Sequence, residues 1–165
     1  MMRLFIAIPL KGEMLDAALS AQREFMRRGV RGNYTPAENL HLTLAFIGEY
    51  PAPEDVLQVM DQVPFPPVEL RLCGLGAFGD LWWLGLSRCE ALEGYVKRLR
   101  HALADAGIPF DRKRFSPHIT LVRRAELPPR ARMDPAVPPA SMRAPRAVLM
   151  RSDRGKGGMI YTPVE

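Results

Sequence analysis

The sequence predicts an α+β domain of two lobes, related by a pseudo-twofold axis. Strand-like runs alternate with helical patterns along the whole chain. A motif of His, apolar, Thr, apolar occurs twice, at His41–Leu44 and at His118–Leu121, and each copy lies in a strand-like run. Each half therefore has a helix and a motif strand. The halves share little else, so the repeat is a structural hypothesis.

The first half of the chain predicts two strands and two helices. A short apolar run ends at Pro9 and predicts a strand. In the helix that follows, Leu15, Leu19, Gln22 and Met26 recur at helical spacing. The second helix opens with proline and acidic residues, as helix N-termini prefer. The predicted elements are a strand at Arg3–Ile8, a helix from Lys11 to about Arg28, a turn at Gly32-Asn33, the first motif strand at Leu40–Ile47 and a helix at Pro53–Val63.

The second half predicts two hairpins, a long helix and the second motif strand. The helix has Leu92, Val96, Leu99 and Leu103 on one face and ends at a glycine. The predicted elements are strands at Val68–Leu72 and Leu81–Ser87 around Gly74–Asp80, a helix from Arg88 to Ala106, a strand at Phe115–Arg123, and strands at Ala147–Arg151 and Met159–Pro163 around Asp153–Gly158. Six prolines in the segment 127–145 predict a long loop, for which a lid over a cleft is one hypothesis.

Length and composition predict one cytoplasmic domain of residues 1–165. Hydrophobic content of 47% and charged content of 25% are ordinary for a globular protein. No apolar run reaches the length of a membrane helix, and the N-terminus lacks the features of a signal peptide. Cys73 and Cys89 are therefore expected to be reduced thiols. The net charge of +5 favours an anionic partner such as RNA or a nucleotide, although a solvated arginine-rich surface gives the same charge.

The double motif predicts acid–base chemistry on a phosphodiester. In a strand, residues i and i+2 point to the same face, so His41 shares a face with Thr43, and His118 shares one with Thr120. Histidine titrates near neutral pH, so one imidazole can act as a base while the other acts as an acid. Threonine hydroxyls can hold the non-bridging phosphate oxygens. This scheme requires no metal.

Other features of the sequence have structural interpretations. A single His-x-Thr is usually structural, and it is the second copy that favours catalysis. A metal site at the two histidines would need a third ligand, and none lies nearby in the sequence. His101 is expected on the surface of its helix, and both Trp82 and Trp83 are expected to pack. In a regular strand Arg123 would face away from His118, so a bulge would be needed to turn it; Arg124 or the run 112–114 are alternative phosphate partners.

The residues around both motifs resemble the two-histidine phosphoesterase superfamily. Within it, they are similar to the bacterial and archaeal RNA 2′,3′-cyclic phosphodiesterases, also called 2′-5′ RNA ligases. The most specific stretches are Asn39–Glu49 and Phe115–Arg123, and Arg3–Pro9, Leu149–Ser152 and Gly158–Tyr161 support them. The resemblance covers nearly the whole chain. It implies a bilobal fold with antiparallel sheets around a central, positively charged cleft.

This resemblance also implies an activity and a site. The implied reaction is metal-independent hydrolysis of RNA 2′,3′-cyclic phosphate ends to 2′-phosphates. We also expect a monomer that needs no cofactor and does not bind a membrane. Some members are described as joining tRNA halves through 2′-5′ linkages, where a 5′-hydroxyl replaces water. Carried over by motif, His41 is the proton donor to the leaving 3′ oxygen and His118 the base that activates water. The implied binding residues are Thr43, Thr120 and Arg123 for the phosphate, and Phe5 and Tyr161 in the cleft lining.

Two alternatives remain open at this stage. One keeps the site but changes the substrate to a small cyclic nucleotide, such as ADP-ribose 1″,2″-cyclic phosphate, or to a 2′-5′ oligonucleotide. The other is a non-catalytic RNA-binding module with the same fold. The intact His and Thr pairs argue against the second alternative, since binding alone does not need two groups that titrate near neutral pH.

Overall fold

The computed structural model describes residues 1–165 as two antiparallel sheets and three helices. The elements are β1 (Met2–Pro9), α1 (Gly12–Arg27), β2 (Arg31–Tyr34), β3 (His41–Tyr50), α2 (Pro53–Gln62), β4 (Val68–Phe78), β5 (Leu81–Leu86), α3 (Glu90–Asp105), β6 (His118–Glu126), β7 (Ser141–Ala144), β8 (Val148–Gly155) and β9 (Gly158–Pro163). The predicted α+β class with antiparallel sheets is confirmed. None of the helices is long and apolar enough to cross a bilayer.

Each sheet contains one motif strand. The strand order of the first sheet is β3-β1-β8-β9, so β3 lies at its edge. The order of the second is β2-β6-β5-β4-β7, so β6 lies between β2 and β5. The two sheets contact each other through β3 and β6. This places the two histidine motifs on facing strands of the two lobes.

Helix α1 follows a strand of the first sheet in the chain but packs on β6 and β7 of the second. Its inner face includes the fully buried side chains of Met14 and Phe25. Gln22 is the one polar residue of that face. Its Nε2 donates hydrogen bonds to the carbonyls of Leu121, at 2.9 Å, and Thr35, at 2.8 Å. The amide thereby satisfies backbone groups beside the second motif and fixes α1 against β6.

Two strands were not predicted from the sequence. The prediction of a turn at Gly32-Asn33 was wrong, because residues 31–34 pair with β6 and place Asn33 opposite Arg123. A Cβ on Gly32 would lie 2.8 Å from the side chain of Val122, so this position needs glycine. The prediction of a loop through residues 127–145 was wrong near its end, where β7 pairs with β4. That pairing satisfies the edge of β4, a long-range effect that local composition does not encode.

Candidate active site

Both motif strands carry a one-residue bulge directly after the threonine. In β6, Trp83 lies opposite Thr120 while Trp82 lies opposite Val122, so Leu121 is the extra residue. In β3, Ala7 and Ile6 lie opposite Thr43 and Ala45, so Leu44 is the extra residue. A bulge shifts the alternation of side chains by one position. The residue three positions after each threonine therefore joins the face of the motif.

This shift gives the two lobes matching sets of three residues. The set in β3 is His41, Thr43 and Phe46, and the set in β6 is His118, Thr120 and Arg123. The leucine and the residue after it are both buried in each strand, as the shift requires. The bulge thus places Arg123 on the His118 face, where a regular strand would have turned it away.

The two imidazoles are held in the same way. The Nδ1 atom of His41 lies 2.6 Å from the carbonyl oxygen of Asn39, and the Nδ1 atom of His118 lies 2.7 Å from that of Ser116. A carbonyl only accepts, so Nδ1 carries the proton and donates in both cases. This assigns the tautomer and leaves Nε2 as the reactive nitrogen of each ring.

The surroundings of the two rings differ. The Nε2 atom of His41 lies 2.9 Å from Oγ1 of Thr43, from which it accepts a hydrogen bond in the assigned tautomer. Nε2 of His118 has no corresponding hydrogen bond to Thr120. Burial lowers the pKa of His41, and the positive charges of Arg123 and His118 lower it further, while the hydrogen bond to Asn39 opposes both. His41 is therefore biased toward its neutral form in the free protein.

A cavity of about 630 Å³ opens beside His41. Phe5, Thr43, Arg123 and Tyr161 are among its lining residues. The rings of Phe5 and Tyr161 lie 5.0 and 5.3 Å from the imidazole of His41. Phe5 is almost fully buried, so it supports the imidazole, whereas the side chain of Tyr161 remains partly open to the cavity.

The charges of this cavity favour an anion. Its wall includes Arg3, Arg123 and Arg154 against Glu49 and Asp153. Asp153 is already paired with a further cation, since the Nε atom of Arg151 lies 2.9 Å from it. Arg123 has no carboxylate within salt-bridge distance. His118 and Thr120 lie outside the lining of this cavity, on the facing strand β6, and the run 112–114 lies outside it as well.

The structure adds two aromatic residues that the sequence analysis did not assign to the site. The ring of Trp83 lies 6.2 Å from the imidazole of His118, and that of Phe78 lies 5.2 Å from it. The side chain of Phe78 is 50% exposed. Trp82 faces the other way and packs edge-on against Phe25 at 6.0 Å. The strand alternation of the two tryptophans was the available signal, but it did not show which of them faced the motif.

The arrangement suits displacement at a phosphodiester. Two imidazoles present Nε2, two hydroxyls lie on the same faces, and the guanidinium of Arg123, which has no carboxylate partner, lies on the face of the second motif. Nowhere in the chain do three or more His, Cys, Asp or Glu side chains come together as metal ligands. The groups that the site presents are suited to proton transfer and anion binding.

Comparison with known proteins identifies the relatives of this chain. The family described as the 2′-5′ RNA ligase superfamily matches residues 16–156. A Thermus thermophilus protein named RNA 2′,3′-cyclic phosphodiesterase is 32% identical over 99% of this chain and 88% of its own length. One of the same name from Thermotoga maritima is 31% identical over 74% of this chain and 70% of its own length. The crystal structure of Escherichia coli LigT with 3′-AMP has a TM-score of 0.80 and 28% identity, over 99% of this chain and 95% of that one.

Proposed function

The chain belongs to the 2′-5′ RNA ligase superfamily, and we propose that it hydrolyses RNA 2′,3′-cyclic phosphate ends to 2′-phosphates. The main support for the proposal is that both imidazoles are oriented by the same kind of hydrogen bond. Each Nδ1 is fixed by the carbonyl two residues earlier, so each ring offers Nε2 to a ligand between the facing strands. An acid and a base on opposite sides of phosphorus are what in-line displacement requires.

The reaction is a displacement of the 3′ oxygen by water. His118 accepts a proton from water at Nε2 while the water oxygen bonds to phosphorus. The bond from phosphorus to the 3′ oxygen breaks, and His41 gives that oxygen a proton from Nε2. The products are a 3′-hydroxyl and a 2′-phosphate, and each proton transfer contributes about 10²–10⁴ in rate.

His41 has to be protonated at Nε2 for this role, although its surroundings lower its pKa in the free protein. The bound phosphodiester supplies the compensation. Its negative charge lies between His41 and Arg123 and offsets the repulsion that disfavours the imidazolium. Substrate binding therefore raises the pKa of His41, and the acid forms where it is used.

Phosphate binding falls to Thr43, Thr120 and Arg123. The two hydroxyls lie on the faces that carry the histidines, and Arg123 lies three residues after Thr120 on the same face. A guanidinium without a carboxylate partner is free to donate to the non-bridging oxygens. These donors stabilise the charge that develops on the phosphate in the transition state.

The base of the terminal nucleotide stacks on Phe78. Half of this side chain is open to solvent, and it lies beside His118 at the tip of the β4–β5 hairpin. A base on an aromatic face adds about 1–3 kcal/mol of binding. Phe5 and Tyr161 both line the cavity beside His41, and Phe5, which is almost fully buried, also supports the imidazole.

The proposal extends to the oligomeric state of the enzyme, its metal requirement, its cellular compartment and its second reaction. The enzyme acts as a monomer without a metal ion, in the cytoplasm, where Cys73 and Cys89 persist as the unpaired thiols that the structure shows. The same site joins tRNA halves when a 5′-hydroxyl takes the position of the attacking water. Size-exclusion chromatography with light scattering tests the monomer, and chelation tests the metal.

The deciding experiment is hydrolysis of an oligonucleotide that ends in a 2′,3′-cyclic phosphate, with EDTA present. Product identification against 2′- and 3′-phosphate standards should give the 2′-phosphate alone. The His118→Asn variant, shown to be folded by circular dichroism, should form this product about 10²–10⁴ times more slowly. A 3′-phosphate product, or loss of activity that returns with added metal, would contradict the mechanism. Binding of RNA without any turnover would favour the non-catalytic alternative.

A further inference from the structure

A second cationic groove lies between α3 and the segment that leads into β6. Its volume is about 900 Å³. Four cationic side chains line it, with one carboxylate and one aromatic ring. The cations are Arg88, Lys97, Arg100 and Arg114, and the other three residues are Glu93, Val96 and Phe115.

The positive charge of the groove is largely uncompensated. The single carboxylate, Glu93, is paired with Arg88 at 3.4 Å. Lys97, Arg100 and Arg114 have no carboxylate within salt-bridge distance. Like charges that are gathered in a concave surface raise the local positive potential and attract anions.

Arg100 is fixed in this groove by backbone groups. Its Nη1 atom donates to the carbonyl of Lys113 at 2.7 Å, and its Nη2 atom donates to that of Leu44 at 3.1 Å. The guanidinium also lies 5.7 Å from the ring of Phe115. Burial lowers the pKa of Arg100, and the charge of Asp111, which is not in salt-bridge contact with it, opposes this shift without cancelling it. The guanidinium is pre-organised, and hydrogens remain on both terminal nitrogens for an anion.

The groove lies beside both motif strands. Phe115 precedes His118 by three residues, a distance of at most about 11 Å along an extended chain. Arg100 binds the carbonyl of Leu44, the residue that follows Thr43. An anion in the groove is therefore within reach of a short chain whose end lies at the histidines. The partly buried ring of Phe115 offers a stacking surface along the way.

We propose that this groove binds the phosphodiester backbone of RNA upstream of the cyclic end, so that the natural substrate is an oligonucleotide and not a cyclic mononucleotide. The inference rests on the proposed function and specifies its substrate class. Lys97 and Arg114 contact phosphates of the RNA backbone. Arg100 holds the protein segment beside Arg114 in place through its hydrogen bond to the carbonyl of Lys113. A mononucleotide reaches the histidines but leaves the groove empty.

The test compares two substrates with the same terminal nucleotide. One is a nucleoside 2′,3′-cyclic phosphate, and the other is a hexanucleotide that ends in it. In the wild type, kcat/KM should be higher for the hexanucleotide. In a Lys97→Gln/Arg114→Gln variant it should fall about tenfold for the hexanucleotide, because charge-assisted contacts to phosphate are lost. Turnover of the mononucleotide should stay at the wild-type value.

The salt dependence and a matched variant exclude a general charge effect. Removal of two phosphate contacts should make the slope of log(kcat/KM) against log[salt] shallower by about 1.4 for the hexanucleotide. The Arg23→Gln/Arg143→Gln variant loses two exposed cations outside the groove and should keep the wild-type slope. An equal loss in both variants, or no preference of the wild type for the hexanucleotide, would overturn the inference.

Binding separates this inference from the proposed function. Anisotropy of a labelled hexanucleotide 3′-phosphate needs no turnover and should weaken about tenfold in the groove variant. If the wild type hydrolyses neither substrate but the groove variant binds the hexanucleotide more weakly, the RNA-binding role of the groove is supported and the proposed reaction is wrong. If hydrolysis is normal and binding is unchanged in the variant, the reaction stands and the groove is wrong.

Discussion

The Nε2 atom of His41 lies 2.9 Å from the hydroxyl oxygen of Thr43, two residues further along the same strand. The other ring nitrogen of His41 donates to the carbonyl of Asn39. The free protein therefore holds this imidazole neutral, with its reactive nitrogen occupied by a hydroxyl. A phosphate oxygen that takes the Thr43 hydroxyl would release Nε2, so binding of the anion and formation of the acid are coupled.

The two threonines should respond differently to loss of the hydroxyl. For Thr120→Val we expect kcat to fall by about 10²–10³, because one donor to the transition state is removed. For Thr43→Val we expect the same loss together with a changed pKa of His41, because Nε2 also loses its hydrogen bond. Kinetics and NMR titration of the histidine ring test both. Thr43→Ser and Thr120→Ser keep the hydroxyl and serve as controls, and full activity in either valine variant would contradict a phosphate-binding role.

The roles of the two histidines can be separated with a leaving group that needs no proton. We expect His41→Asn and His118→Asn each to lose about 10²–10⁴ in kcat on the normal substrate. In a cyclic phosphate with sulfur in place of the 3′ oxygen, the 3′ sulfur leaves as a thiolate and needs no proton from an acid. This substrate should restore much of the activity of His41→Asn and none of that of His118→Asn.

The matched control for both is His101→Asn. His101 lies exposed on α3 and pairs with Asp105 at 3.5 Å, and it is not among the residues that line the cavity beside His41. Its replacement should leave kcat unchanged. If the sulfur substrate restored the activity of His118→Asn and not that of His41→Asn, the assignment of acid and base would be reversed.

The pKa of His41 should depend on Arg123 and on bound anion. In the free protein it should titrate below the ordinary value of 6.5, with burial as the main cause and the charge of Arg123 as a further one. Arg123→Gln should raise this pKa, and saturation with a nucleoside 2′-phosphate should raise it in the wild type. Arg124→Asn removes a neighbouring cation from outside the cavity, at a left-handed residue where asparagine is tolerated, and should leave the pKa unchanged. NMR titration of the imidazole protons measures all three.

The lowered pKa of His41 makes the stability of the fold depend on pH. The unfolded chain protonates His41 near pH 6.5, whereas the folded protein resists protonation until a lower pH. This residue therefore contributes nothing above pH 6.5 and destabilises the fold as the pH falls from 6.5 toward the folded pKa. As the pH falls through that acid range, urea unfolding should show a steeper loss of stability for the wild type than for His41→Asn.

The sequence was sufficient for the fold class and the motif faces, because both depend on local periodicity. It was insufficient where a contact between distant segments decides the structure. Arg123 reaches the motif face only because β5 and β6 pair with an extra residue at Leu121. Strand β7 forms in a proline-rich segment because β4 offers it an edge. Alternation along β5 shows that Trp82 and Trp83 face opposite ways, but it does not show which of them faces the motif. The pairing of β5 with β6, which puts Trp83 opposite Thr120, decides this.

Loss of the Phe78 ring should weaken nucleotide substrates selectively. For Phe78→Ala we expect kcat/KM to fall by about 5- to 150-fold, which corresponds to 1–3 kcal/mol of stacking. Phe78→Trp should retain the activity. The abasic ribose 2′,3′-cyclic phosphate should be turned over equally by all three proteins. Met26→Ala removes a side chain of the same 50% exposure from α1 and should have no effect. An equal loss on the abasic substrate would indicate that Phe78 supports His118 and does not bind the base.

Gly76 should be needed for the position of Trp83. A Cβ on Gly76 would clash with the Trp83 ring, because β4 and β5 hold the two residues opposite each other. The half-buried tryptophan lies beside His118, and its Nε1 is buried without a hydrogen-bond partner, so no hydrogen bond fixes the position of the indole. Gly76→Ala should therefore push the indole toward His118 and cost about 1–3 kcal/mol of stability, as overpacking does.

Urea unfolding and kcat/KM measure the effect of Gly76→Ala together. The matched control is Gly157→Ala, because a Cβ there meets nothing within 4 Å. We expect the control to unfold at nearly the wild-type urea concentration and to keep full activity. In Gly76→Ala, stability and activity should fall together, because the same ring fills the sheet face and supports the imidazole. A variant that loses stability but keeps full activity would show that Trp83 packs the sheet without positioning His118.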